Sequence, residues 1–117
     1  MTGYCEAANV SDLADGALFR ATICGREILL ARAGGQFYAT DPLCPHLQAD
    51  LSLGSLHGTI LTCPLHNSQF DLRDGHVVRW TDLSGTVLTY DKKAHPSRPL
   101  RCYPVKTEGG RFYILLP

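Results

Sequence analysis

An all-β domain is the fold class this sequence predicts, on two observations. Short runs rich in β-branched and aromatic residues recur along the chain, and turns bearing glycine separate them. One long stretch, residues 41–58, shows little periodicity and holds Pro42, Pro45 and two glycines; loops of that length in a compact domain are usually functional or disordered. Tyr4 to Asn9 reads as a first strand, and Ser11 to Gly16 as a turn or single helical turn. Ala17 to Cys24 and Glu27 to Ala33 flank Gly25-Arg26, a two-residue hairpin signal, and Gly34-Gly35 turns the chain into Gln36 to Thr40. Three strands in meander follow. Thr59 to Thr62 is a short strand, and Gln69 to Leu72 leads to the Arg73-Asp74-Gly75 turn. Val77 to Trp80, Val87 to Tyr90, Leu100 to Val105 and Arg111 to Leu116 read as further strands, with Glu108-Gly109-Gly110 joining the last pair.

Length and charge narrow the function. At 117 residues the chain is expected to be one domain, residues 1–117, with no room for an appended catalytic domain. Residues 1–40 and 73–117 are expected to form a basal β part, and 41–72 to carry two functional loops. Eleven basic residues balance eleven acidic ones, which argues against a general nucleic-acid or anionic-membrane surface. No apolar run approaches the length of a bilayer span, and Met1 to Glu6 has neither the basic head nor the apolar stretch of a signal peptide. A cytoplasmic location is therefore expected. Of the five cysteines, Cys5, Cys24 and Cys102 fall at uneven spacings and are read as unpaired thiols on strands.

The remaining two cysteines carry the chemistry. Cys44-Pro45-His46 is followed, after sixteen residues, by Cys63-Pro64-Leu65-His66. Thiolate sulfur is soft and suits an iron–sulfur core, whereas neutral imidazole suits iron, zinc or copper. A Cys and a His on each loop let each loop offer one ligand to each of two irons, as in a 2Fe–2S centre where His₂ replaces Cys₂ on one iron. A single zinc also accepts two Cys and two His, so the ligand count alone leaves both open.

The flanking residues resemble the Rieske family. Leu47 to Gly54 is close to the family's H-x-x-A-x-L-x-x-G, Gly58-Thr59-Ile60-Leu61-Thr62 to its approach to the second C-P, and Phe70-Asp71 with Gly75 to its F-D-x-x-x-G exit. The match covers residues 40 to 75, about a third of the chain; Leu100 to Val105 is also similar to a late strand of small Rieske ferredoxins. The resemblance implies a Rieske fold: an antiparallel β-sandwich or barrel-like base with a small subdomain of two cluster-binding loops. It further implies one 2Fe–2S cluster, with Cys44 and Cys63 on the inner iron. His46 and His66 would hold the outer iron, their outer nitrogens at the protein tip. Pro45, Pro64, Ser68 and Phe70 would surround it, with the Ser68 hydroxyl a candidate donor to a cluster sulfur. Respiratory members carry an extra disulfide between the loops, where this chain has Ala49 and Leu65. The tyrosine of high-potential members is Phe70 here. Both departures resemble the soluble, low-potential branch.

That branch carries single electrons and transforms no substrate. Its implied partners are a flavin-dependent reductase and a terminal oxygenase, met transiently by a monomer. A tightly bound redox subunit, such as that of a nitrite reductase, is the alternative, and a zinc-stabilised interaction module a third. Elsewhere, His57, His76 and His95 are expected in solvated turns. Trp80 is expected in the core or as a half-buried platform. Asp41, Asp50, Asp71 and Asp74 are equally readable as steering charges or polar loop tips. Pro96 to Pro99 is a candidate third loop against the cluster, or an ordinary connection.

Overall fold

The computed structural model describes residues 3–117, except the side chains of residues 88, 90 and 92. The run Ile28-Leu29-Leu30-Ala31 explains how its layers meet. All four residues are buried, as happens when a strand is covered on both faces. They lie on β3 (Arg26–Ala33), which pairs with β2 (Leu18–Ile23) and β4 (Gln36–Thr40) as the expected antiparallel meander. Ile28 and Leu30 pack with Leu13, Ala39, Tyr103, Phe112 and Ile114. Leu29 and Ala31, on the opposite face, join Leu51, Leu61, Phe70, Leu72 and Trp80 in a second core that also holds Cys44 and Cys63. One strand thus couples the base to the ligand loops. Each large aliphatic side chain buried this way contributes about 1.5–3 kcal/mol.

Three antiparallel sheets surround these cores. β1 (Gly3–Asn9) pairs with β11 (Arg111–Leu116), which also pairs with β10 (Val105–Glu108). The second sheet runs β2-β3-β4-β9, ending on β9 (Cys102–Tyr103). The first core fills the space between these two sheets, where the Phe37 and Phe112 rings stack at 4.7 Å. The third sheet runs in chain order through β5 (Ser55–His57), β6 (Ile60–Thr62), β7 (Gln69–Asp71) and β8 (Val77–Arg79), and frames the ligand loops.

The structure corrects four sequence expectations. Val87 to Tyr90, read as a strand from its β-branched and aromatic residues, lies inside helix α1 (Gly85–Ala94); no neighbouring strand is paired with it, and strand preference is weak without a cross-strand partner. Leu100 to Val105 is two strands rather than one. Pro104 has no N–H to donate and separates β9, paired to β4, from β10, paired to β11. Residues 41–58 contain a 3₁₀ turn, Leu51–Leu53, and β5, both too short to show periodicity. Finally, Cys5 and Cys24 form a disulfide with Cα atoms 6.3 Å apart, rather than two separate thiols. β1 brings Cys5 to the tip of the β2–β3 hairpin, a proximity that spacing along the chain does not reveal. Cys102 remains a free, half-buried thiol whose pKa is pushed up to about 11 by burial.

Two motif glycines have steric reasons. A Cβ on Gly54 would lie 2.1 Å from the Thr62 carbonyl oxygen, and one on Gly75 would lie 1.9 Å from that of Leu100. Gly54 therefore lets the first loop lean on the strand entering the second. Gly75, at φ +81°, locks the β7–β8 turn to residue 100 through the Leu100 N–H, which donates to its carbonyl at 2.8 Å.

Candidate metal centre

The two loops are closed by the same device. The Cys44 N–H donates to the Ala49 carbonyl at 2.8 Å, and the Cys63 N–H to the Ser68 carbonyl at 2.7 Å, five residues on in each case. The residue four after each cysteine takes a left-handed backbone: Gln48 at φ 62° and Asn67 at φ 52°, the latter joined by His66 at φ 56°. Asn tolerates that region better than other side chains, as expected for Asn67. Leu43 bridges to Asp50 beneath the first loop, and Asp50 caps the following turn by accepting from the Ser52 N–H at 3.0 Å and hydroxyl at 2.7 Å.

These loops bring the two thiols together and the two imidazoles together. Cys44 and Cys63 are 0% and 1% exposed. Burial, and then the neighbouring Cys44, push the Cys63 thiol up to about 11. The Leu65 N–H meets its sulfur at 3.4 Å. The His46 and His66 rings lie 6.0 Å apart. Among the described residues, no three His, Cys, Asp or Glu side chains are grouped around a single ion position. A thiol pair beside an imidazole pair fits a two-iron core, each iron taking two protein ligands, better than one tetrahedral zinc.

The histidines differ sharply. The His46 side chain is 1% exposed and that of His66 35%. His46 Nδ1 lies 3.4 Å from Ser68 Oγ, and its Nε2 lies 2.7 Å from the Asp91 carboxylate of α1. The Trp80 ring covers His46 at 4.9 Å and the His95 ring meets it edge-on at 5.7 Å. Trp80 Nε1–H donates to the His95 carbonyl at 2.9 Å, so Trp80 is a buried platform. His95 belongs to this cover rather than to a solvated turn. On the other side, His66 Nδ1 is 3.7 Å from Asp82, whose second carboxylate oxygen accepts from Asn67 Nδ2 at 2.7 Å. The expected tip with two outward imidazoles is thus replaced by one covered and one open.

Of the surrounding residues, Pro64 is exposed, while the Pro45 carbonyl accepts from Arg98 at 2.8 Å. Pro96 to Pro99 is exposed and touches the first loop through Arg98. Phe70 is fully buried with its ring 6.4 Å from Trp80. The Ser68 hydroxyl donates to the Trp80 carbonyl, which takes up the proton expected for a sulfur. Asp71 is buried and held by Arg73 at 2.7 Å, so it cannot steer a partner. Asp91 and Asp82 escaped the sequence reading because they lie in residues 81–98, where no motif points back to ligands up to 45 positions away.

Residues 3–104 match the model of the Rieske [2Fe-2S] domain. The chain belongs to the Rieske family, whose domains carry one 2Fe–2S cluster. It is 33% identical over 111 residues to the ferredoxin component of a naphthalene 1,2-dioxygenase system from Pseudomonas putida, covering 95% of this chain and 93% of that protein. Among solved structures, the ferredoxin of carbazole 1,9a-dioxygenase from Nocardioides aromaticivorans IC177 superposes with a TM-score of 0.76 at 26% identity, covering 95% of both chains. A chain from the complex of reduced oxygenase and oxidized ferredoxin in carbazole 1,9a-dioxygenase gives 0.74 at 27% identity, covering 96% of this chain and 92% of that one. The chain is an electron-transfer component and not a catalyst.

Proposed function

We propose that Cys44 and Cys63 hold one iron of the cluster and His46 and His66 the other, with Pro45, Pro64, Ser68 and Phe70 around them. The cluster supplies reversible one-electron storage. Loading it would require both thiols to lose protons, which burial opposes at Cys63 and metal binding would drive. The supporting observation is the convergence of a buried thiol pair and an imidazole pair on two loops closed alike. Residues 41–72 form the cluster-binding segment on a base of 1–40 and 73–117.

The protein is a cytoplasmic monomer that takes electrons from a flavin-dependent reductase and passes them singly to a terminal oxygenase. The ferredoxin relatives and the oxygenase–ferredoxin complex support this pairing. Among the described residues, no helix is long and apolar enough to cross a membrane. Transient electron-transfer interfaces are small and release quickly. Reconstitution with a nicotinamide-dependent flavin reductase and an oxygenase encoded beside it tests the role. Product formation should require the protein in catalytic amounts. Full oxygenase turnover without it, or its recovery as a salt-resistant stoichiometric complex, contradicts a mobile carrier.

A further inference from the structure

We propose that Asp91 is a positioning residue for His46, and that the helix carrying it leaves His66 as the imidazole through which partners exchange electrons. The inference rests on the ligand assignment above. Asp91 Oδ1 takes the hydrogen bond of His46 Nε2 at 2.7 Å, and its side chain is 7% exposed. Its other oxygen, Oδ2, is buried and has no partner among the described residues. A half-satisfied buried carboxylate is expensive, and a fold that keeps one calls for an explanation.

Its place supplies one. With Nε2–H committed to Asp91, the unprotonated nitrogen of His46 is Nδ1, which faces the ligand loops beside Ser68. A carboxylate on the outer nitrogen fixes the ring and raises its basicity as a ligand. It would also place negative charge close to the iron that His46 would hold. Both effects favour the oxidised state, so Asp91 lowers the reduction potential.

The same contact seals one exit. α1, Trp80 and His95 close over His46, whereas His66 stands open beside Leu65, which is 40% exposed. A partner reaching the site meets Leu65 and His66. Exchange by way of His66 would be of one electron, with no bond made or broken.

Two measurements on cluster-loaded protein test this. Midpoint potentials of Asp91→Asn and Asp82→Asn, at one fixed pH, compare the same charge change beside each imidazole. Asp91→Asn should raise the potential by at least a tenfold change in the one-electron equilibrium, about 59 mV. Asp82→Asn should move it less, because that carboxylate is 42% exposed and screened by water and salt. Equal shifts, or none at Asp91→Asn, would overturn the proposal. Should Asp91→Asn fail to hold the cluster, wild-type protein labelled with ¹⁵N-histidine decides. After transfer to D₂O, pulsed EPR of the reduced state should show one ring N–H exchanging promptly and the other slowly; simultaneous exchange contradicts the cover. Iron and sulfide content of the wild type tests the ligand assignment separately.

Discussion

Ser68 and Asp71 show how a single side chain's role depends on what it touches. The Ser68 hydroxyl donates to the Trp80 carbonyl, so Ser68→Ala should remove a buried hydrogen bond worth about 1 kcal/mol while leaving the reduction potential nearly unchanged. Denaturant melts and redox titration of the loaded protein check the two halves. Asp71 accepts the Arg73 backbone N–H and its guanidinium, and the guanidinium contact holds its carboxyl well below the usual carboxylate range. The stabilisation is complete above the unfolded carboxyl's pKa and is lost as pH falls through that value towards the folded one. Asp71→Asn should therefore cost about 1–3 kcal/mol at neutral pH, a gap that narrows in strong acid; urea melts of both proteins from pH 7 downward measure it. Residue identity was legible at the four candidate ligands because their types and spacing are chemically unusual. It was not legible at Asp91, an ordinary acidic residue until the fold brings it to His46.

At the level of elements, the loops were readable and the helix was not. The two Cys-Pro segments sit between short strands and close with matching hydrogen bonds, so their likeness in sequence reflects a likeness in backbone. Gly54 and Gly75 belong to the motif because backbone passes within contact distance of each. Helix α1 misled because it holds Val87, Thr89 and Tyr90, residues suited to strands, while its contact with the first ligand loop is long-range. The Cys5–Cys24 bridge was hidden for the same reason. It ties β1 to the β2–β3 turn across a separation of 19 residues. Cys24→Ser should lower stability by about 3 kcal/mol in oxidising buffer, and a reductant should abolish the difference. Melts with and without dithiothreitol check this.

Across the whole molecule, β3 divides labour between its two faces. One face completes the base, and the other packs in the core that holds Cys44 and Cys63. The all-β class followed from turn spacing, and the ligand loops from chemistry. The pairing of β1 with β11, and the division of β9 and β10 between two sheets, depend on long-range contacts that no local pattern encodes. The resulting object sets one covered and one open imidazole on the two loops that also carry the buried thiols. Metal and sulfide analysis with EPR, on protein purified without air and then reduced, tests the central claim most directly. The account predicts two irons and two labile sulfides per chain, a reduced-state EPR signal, and loss of all three in Cys44→Ser. Stoichiometric zinc in protein made with ample iron, with no paramagnetic signal on reduction, would contradict it.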